Sequence, residues 1–121
     1  MLKTYGIVGN RIGWEYEDVK NFLDRFKFKK IRIVSGGAAG VDSYAQRYAE
    51  ENHIPFYVCA PEVSVPSPQR YFERNALIVD RADALIAFDK KEGRSGTKNT
   101  ISLAKKKGIS VIIYDGEKMH G

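Results

Sequence analysis

The stretch that decides the fold runs Ile31-Arg32-Ile33-Val34-Ser35-Gly36-Gly37-Ala38-Ala39-Gly40-Val41-Asp42. An apolar, β-branched run, typical of a buried strand, passes through small residues directly into a helical pattern. Small residues let backbone N–H groups approach an anion, and a helix start adds unpaired N–H donors and a positive dipole end. The same residues also allow a strand and a helix to pack closely, so the run indicates either an anion-binding loop or tight packing. Asp42 could likewise bind a ribose hydroxyl or satisfy N–H donors of the helix's first turn.

Strand-like and helical segments alternate on both sides of this stretch. The predicted strands are residues 5–8, 31–34, 56–59, 84–88 and 111–114. Apolar positions with helical spacing lie between them, at Val19/Phe22/Leu23/Phe26, Val41/Tyr44/Ala45/Tyr48, Phe72/Asn75/Ala76/Val79 and Thr97/Thr100/Ile101/Ala104. Parallel neighbouring strands need helical crossovers, which are right-handed. The pattern therefore predicts one α/β domain over residues 1–121, a Rossmann-like doubly wound five-stranded parallel sheet of order 3-2-1-4-5.

In such sheets ligands bind beyond the carboxyl ends of the strands, where the strand order reverses. Gly9-Asn10-Arg11 follows the first strand and offers a tight turn and a guanidinium fork, although an ordinary turn with a surface arginine has the same sequence. After the fourth strand come Asp89 and then Gly93-Arg94-Ser95-Gly96-Thr97-Lys98-Asn99-Thr100. Ser95 and Thr97 could cap a helix or, with the Gly96 N–H, grip a phosphate. Both glycine-rich helix starts are expected to face the crevice beside the first strand.

The segment Arg70-Tyr71-Phe72-Glu73-Arg74-Asn75 opens the helix before the fourth strand and combines basic, aromatic and amide groups. Its plainest interpretation is a helix with Phe72 on the core face and its arginines in solvent. Arg74 and Asn75 are the two members that could reach the same crevice.

Composition bounds the class of protein and its partners. Hydrophobic residues make up 43% of the chain and charged residues 29%, a globular balance. The formal charge of +5 favours an anionic partner, although lysines such as Lys105-Lys106-Lys107 also complement a helix C-terminus, which Gly108 would then end. Cys59 is expected to be a small buried residue, and His53 and His120 have no metal partners at ligand spacing, so neither a metal nor a cofactor is expected. No apolar run approaches the ~20 residues of a membrane span, and a cytoplasmic location is expected.

At these residues the sequence resembles the SLOG superfamily, which includes DprA, the LOG phosphoribohydrolases and the YpsA-like proteins. The segments that carry the resemblance follow the family's order along the chain. They are Ile7-Val8-Gly9-Asn10-Arg11, Ser35 to Asp42, Arg74-Asn75, Ala82-Asp83-Ala84-Leu85-Ile86-Ala87-Phe88, and Ser95-Gly96-Thr97 with Ala104. The resemblance implies a Rossmann-like domain that binds a nucleotide-derived ligand or, in the DprA branch, single-stranded DNA, and it implies a homo-oligomer. Thr100 stands where the LOG motif has its glutamate, so the single-domain YpsA-like branch is expected.

Three functional hypotheses follow. In the first, a nucleotide or nucleotide-derived ligand is bound or sensed, Arg11 and Arg74 neutralise its phosphate, and Asn10, Asp42 and Asn75 read ribose or base. The full predicted set is Gly9, Asn10, Arg11, Ser35, Gly36, Gly37, Gly40, Asp42, Arg74, Asn75, Ser95, Gly96 and Thr97. In the second, the same pocket takes one backbone phosphate of single-stranded DNA while neighbouring lysines follow the strand. In the third, Asp42 or Asp89 supplies the carboxylate of a LOG-like nucleotide phosphoribohydrolase.

Overall fold

The computed structural model describes residues 2–26, 30–59, 66, 69–90 and 96–121. Six strands form one sheet of order β3-β2-β1-β4-β5-β6. Their bounds are β1 Lys3–Gly9, β2 Ile31–Ser35, β3 Phe56–Val58, β4 Ala84–Phe88, β5 Ser110–Tyr114 and β6 Met119–His120. The first five strands are parallel, which confirms the predicted sheet and its order. β6, which pairs antiparallel with Ile113 and Tyr114 of β5, was not predicted, because two residues are too short to show a periodicity.

Helices cover both faces of the sheet. They are α1 Tyr16–Leu23, followed by a 3₁₀ turn over Asp24–Phe26, then α2 Val41–Glu51, α3 Gln69–Arg81 and α4 Gly96–Lys107. α1 and α2 pack on the face that carries Ile7, Ile33 and Ile86. α3 and α4 pack on the opposite face, against Val8, Val34 and Ala87. Because successive strand residues point to opposite faces, this double cover explains the continuous apolar runs of β1, β2 and β4.

The start of α3 departs from its predicted packing. Phe72 is 53% exposed and Ala76 is exposed as well, whereas Asn75, Ile78 and Val79 are buried. The first turn of α3 lies at the mouth of a cavity, where Tyr71 rather than Phe72 is a lining residue, so Phe72 does not reach the core. The prediction that Phe72 lies on the core face is therefore wrong.

The other predicted helical faces are confirmed, and the last helix ends as expected. Thr97, Thr100, Ile101 and Ala104 are all buried on α4. Gly108 follows with a φ of +86°, and its N–H donates to the carbonyl oxygens of Ala104 and Lys105. Cys59, one residue beyond β3, is buried. In the described part of the chain, no helix combines the length and apolar character needed to cross a bilayer.

Candidate functional site

A cavity of about 590 Å³ opens at the carboxyl end of β1, the strand at which the strand order reverses. It lies between the loop after β1, the start of α2, the first turns of α3 and the start of α4. The residues lining it are Val8, Gly9, Asn10, Arg11, Ile12, Ala38, Asp42, Tyr71, Arg74, Asn75, Ile78, Gly96, Thr97 and Thr100. The two predicted helix starts and the loop after β1 therefore meet at one site.

Asn10 lines the cavity and is fixed by three side-chain hydrogen bonds. Its amide nitrogen Nδ2 donates to Asp89 Oδ1 at 3.0 Å, and its Oδ1 accepts from Trp14 Nε1 at 3.2 Å and from the Lys90 backbone N–H at 2.9 Å. The second carboxylate oxygen of Asp89 pairs with Lys98 Nζ at 2.7 Å. Asn10 and Asp89 thus join the ends of β1 and β4, and their polar groups are occupied by the protein itself.

Gly40 brings the start of α2 against the loop that carries Arg11. Its φ of +78° and ψ of −129° are accessible almost only to glycine. A Cβ at this position would lie 2.4 Å from the backbone oxygen of Arg11. Gly9 makes a similar approach, since a Cβ there would lie 2.5 Å from Val41 Cγ2. These contacts set the position of Arg11 relative to α2.

The remaining small residues of the β2–α2 loop also contact protein. A Cβ on Gly36 would lie 2.6 Å from Arg74 Cδ, and one on Gly37 would lie 2.8 Å from Val58 Cγ1. The Ser35 hydroxyl is buried and donates to the Ile7 carbonyl oxygen at 2.8 Å. Ser35, Gly36, Gly37 and Gly40 therefore all make close contacts within the protein, and their binding of an anion stays a prediction.

Asp42 is the carboxylate that lines the cavity, and it braces the same loop. Its Oδ2 accepts the Ala38 backbone N–H at 3.1 Å. Burial raises the pKa of Asp42 above the ordinary value of 3.8, against the Ala38 N–H, the Arg74 charge, the Ser35 hydroxyl and the Gly36 N–H, which all favour the ionised form. Asp42 thus holds the loop in place beside Arg74.

Two guanidinium groups converge on Tyr71 at the mouth of the cavity. Arg11 Nη2 donates to the Tyr71 hydroxyl at 2.6 Å, and this hydrogen bond is the main cause of a lowered Tyr71 pKa. The guanidinium carbons of Arg11 and Arg74 lie 5.0 and 4.9 Å from the centre of the Tyr71 ring. Within the described ranges neither guanidinium forms an ion pair with a carboxylate, and the buried Arg74 Nε has no hydrogen-bond partner. The cavity therefore holds two guanidinium groups that lack a paired carboxylate, with the Asp42 carboxyl group also in its lining.

The start of α4 forms the opposite wall. Gly96 begins the helix, and no atom of the described residues lies within 4 Å of the position where its Cβ would be. Thr97 and Thr100 are buried lining residues, and the Thr100 hydroxyl donates to the Gly96 carbonyl oxygen at 3.4 Å. Asn75 Nδ2 donates to Asn99 Oδ1 at 3.0 Å and so ties α3 to α4. The first N–H groups of a helix lack partners within it, and here they lie at the cavity.

Most of the predicted site residues line the cavity. Those that do are Gly9, Asn10, Arg11, Asp42, Arg74, Asn75, Gly96 and Thr97. The predicted site residues Ser35, Gly36, Gly37 and Gly40 are not lining residues, and Ser95, with the preceding Gly93-Arg94, lies outside the described residues. Arg11 has the position expected for it, at the carboxyl edge of the central strand and in the same cavity as Gly96.

Tyr71 is one of the lining residues that the predicted site did not include, together with Val8, Ile12, Ala38, Ile78 and Thr100. Its spacing of one helical turn before Arg74 was the available signal, because residues three apart are neighbours on a helix surface. Among the described residues, no cluster of three or more His, Cys, Asp or Glu side chains is arranged to hold a metal.

Comparison with solved structures identifies several proteins that share this fold. No protein-family profile and no curated protein sequence matches this chain. DprA from Streptococcus pneumoniae superposes with a TM-score of 0.79 and 19% identity over 93% of this chain and 50% of its own length. DprA from Helicobacter pylori superposes with a TM-score of 0.70 and 22% identity, over 92% of this chain and 64% of its own length. That structure concerns a single-stranded DNA binding mode. TM1055 superposes with a TM-score of 0.73 and 17% identity, over 91% of this chain and 72% of its own length.

These similarities show a shared fold. The chain spans only 50% of the length of the Streptococcus pneumoniae protein.

Proposed function

We propose that this protein binds the phosphate of a nucleotide or nucleotide-derived ligand in the cavity between β1, α3 and α4. The observation that carries the proposal is the convergence of Arg11 and Arg74 at the cavity mouth, with no carboxylate paired to either guanidinium in the described part of the chain. A guanidinium presents a planar fork of N–H donors that matches phosphate oxygens. An anion between the two groups would offset their repulsion.

The size and lining of the cavity suit a ligand with one charged end. Its volume of about 590 Å³ lies within the range of small-molecule sites. The start of α4 supplies backbone N–H donors on one side, and Val8, Ile12 and Ile78 supply apolar surface for a base. Asn10 and Asp42 are committed to contacts within the protein, which leaves Asn75 as the better candidate to contact ribose or base. Its amide donates to Asn99, and its carbonyl oxygen can accept from the ligand.

Single-stranded DNA is the second candidate, and the rim of the cavity favours it. Tyr71 and Phe72 are exposed aromatic residues directly after Arg70, on a protein whose formal charge is +5. Bases stack on exposed aromatic rings while cations follow the phosphates. A structural neighbour, the Helicobacter pylori DprA, is described as binding single-stranded DNA. A strand would place one phosphate in the cavity and its flanking bases on this rim.

Calorimetric titration with AMP and with the oligonucleotide (dT)12, repeated at several salt concentrations, separates the two candidates. Strand binding should weaken with a logarithmic slope of about −0.7 per phosphate contacted, whereas AMP binding should show a shallow slope. A ligand at ~100 times its Kd stabilises the fold by ~2.7 kcal/mol, so a thermal scan should rise by about ten degrees. Free adenine in the AMP samples would instead indicate a phosphoribohydrolase.

Variants of the arginines make the test specific to the cavity. Arg74→Ala should weaken binding of whichever probe binds. Arg25→Ala is a matched control, because Arg25 also packs over an aromatic ring, 4.7 Å from the centre of Phe22, but does not line the cavity. Failure of both probes to bind, or equal binding by the Arg74 and Arg25 variants, would overturn the proposal.

A further inference from the structure

Tyr71 stands between the two cations of the cavity. It belongs to the first turns of α3, lines the cavity and is 37% exposed. Arg11 comes from the loop after β1, whereas Arg74 follows Tyr71 by one turn of the same helix. Tyr71 is therefore the point at which two separately anchored cations meet.

Placing two guanidinium groups close together has two free-energy costs, and the contacts of Tyr71 offset both. Like charges repel, and a long side chain loses rotational freedom when it is held in one place. The Tyr71 hydroxyl accepts a hydrogen bond from Arg11 Nη2, and the electron-rich ring lies about equally far, 5.0 and 4.9 Å, from both guanidinium carbons. Cation–π attraction to a shared ring and a charge-assisted hydrogen bond offset both costs.

Apart from Tyr71, the described surroundings of Arg74 do little to hold its guanidinium in place. Its Cδ and Nε pack over Gly36, and in the described part of the chain the buried Nε has no hydrogen-bond partner. Asp42 favours the Arg74 charge electrostatically but makes no ion pair with it. The Tyr71 ring is thus the contact that fixes the outer end of the Arg74 side chain beside Arg11.

We propose that Tyr71 is a positioning residue that preorganises the guanidinium groups of Arg11 and Arg74 for one phosphate. This inference rests on the proposed function for its purpose, but the geometry it describes exists without ligand. The hydroxyl orients Arg11, and the ring holds both cations. Each guanidinium keeps further N–H donors for the anion, because the Tyr71 hydroxyl uses only one of the five on Arg11.

Two substitutions separate the hydroxyl from the ring. Tyr71→Phe removes the hydrogen bond and keeps the ring, and we expect it to raise the Kd for AMP by roughly 3- to 10-fold. Tyr71→Ala removes both, and we expect a rise of roughly 10- to 50-fold. Tyr57→Phe and Tyr57→Ala are matched controls, because Tyr57 is 56% exposed and faces Arg81 at 5.7 Å but does not line this cavity.

Side-chain NMR of the ligand-free protein tests the positioning directly. The ¹⁵N order parameters of the Nε–Hε groups of Arg11 and Arg74 should fall in Tyr71→Ala, and that of Arg11 should also fall in Tyr71→Phe. The Tyr57 variants should leave both unchanged. Circular dichroism of each variant verifies that the fold is retained, which the exposure of Tyr71 favours.

The outcomes are distinguishable. Order parameters that do not change in either Tyr71 variant overturn the inference, whatever binds. Unchanged AMP binding in Tyr71→Phe also overturns it, because the hydroxyl would then not orient Arg11 for the phosphate. Tighter binding overturns it as well, because the hydroxyl would then compete with the phosphate for Arg11. If the order parameters fall but the wild-type protein does not bind AMP, the positioning stands and nucleotide binding fails as the proposed function.

Discussion

The starts of α2 and α4 both lie at the cavity, and their glycines have opposite surroundings. Gly36, Gly37 and Gly40, before α2, all lie against other parts of the protein: a Cβ would lie within 3 Å of side-chain atoms at Gly36 and Gly37, and of the Arg11 backbone at Gly40. At Gly96, at the start of α4, no atom of the described residues lies within 4 Å of the corresponding position. The first group lets the protein approach itself, and the second leaves space among the described residues beside a helix N-terminus. A glycine-rich helix start is thus a candidate contact for a ligand only where the space beside it is unfilled.

Among these substitutions, Gly40→Ala should have the largest effect on stability. The added Cβ would meet the Arg11 backbone, which cannot move aside as a flexible side chain could, and the φ and ψ of Gly40 disfavour any other residue. We expect the free energy of unfolding to fall by about 3 kcal/mol or more. Urea unfolding followed by circular dichroism measures it. A loss below about 1 kcal/mol would show that the loop relaxes easily and that the close approach is not required.

Arg11→Ala should affect binding rather than folding, because Arg11 contacts Gly40 through its backbone and the cavity through its side chain. We expect AMP binding to weaken by ~1.5 to 3 kcal/mol, the range for hydrogen bonds to charged groups. Arg11→Lys should recover part of this, since an ammonium cannot reproduce the guanidinium fork. Calorimetry gives the affinities and urea unfolding gives the stabilities. A stability loss as large as that of Gly40→Ala would contradict the assignment.

The features of this site that the sequence predicts correctly are those that follow from the topology of the sheet. Buried strands with a clear crossover pattern fixed the sheet order, and that order placed the loops after β1 and β4 beside each other. The role of the β2–α2 glycines stayed open, because contact with a ligand and contact with Arg74 or Arg11 both require the same missing Cβ. Tyr71 and Phe72 are adjacent aromatic residues, and periodicity favoured Phe72 for the core. In the structure it is Tyr71 that lines the cavity, while Phe72 is exposed.

Asp42→Asn tests the crowded loop by its dependence on pH. The pKa of Asp42 in the folded protein lies above the ordinary value of 3.8, so the folded state holds more protons than the unfolded state between these values. The contribution of Asp42 to stability is therefore complete below the ordinary value and is lost as pH rises through the raised one. The free energy of unfolding of the variant minus that of wild type should therefore be more positive at about pH 7 than at about pH 4.

Urea unfolding at both pH values measures this difference, with Asp80→Asn, at an exposed position, as the control. An equal difference between variant and wild type at the two pH values would mean that burial does not raise the pKa of Asp42 in solution.

Gly96→Ala should have the smallest effect. The Cβ meets no atom among the residues that the structure describes, Gly96 is helical, and the backbone N–H remains in place. We expect the free energy of unfolding to change by no more than about 0.5 kcal/mol, and AMP affinity to stay within about 2-fold of wild type. The same titration and unfolding measurements apply. A large loss of affinity with unchanged stability would show that the ligand approaches the Gly96 Cα more closely than the backbone N–H contact requires.

The indole of Trp14 gives the protein an optical property. It is the single tryptophan in the chain, and its Nε1 donates to the same Asn10 that lines the cavity. Its ring packs edge-on against Phe88 at 5.3 Å and lies 4.3 Å from Lys90 Nζ, so it is buried in a fixed electrostatic environment. Tryptophan emission depends on the polarity and the charges around the indole, and here all of that signal arises from one residue beside the cavity. We therefore expect the intrinsic fluorescence of this protein to report changes around Asn10 without an attached label.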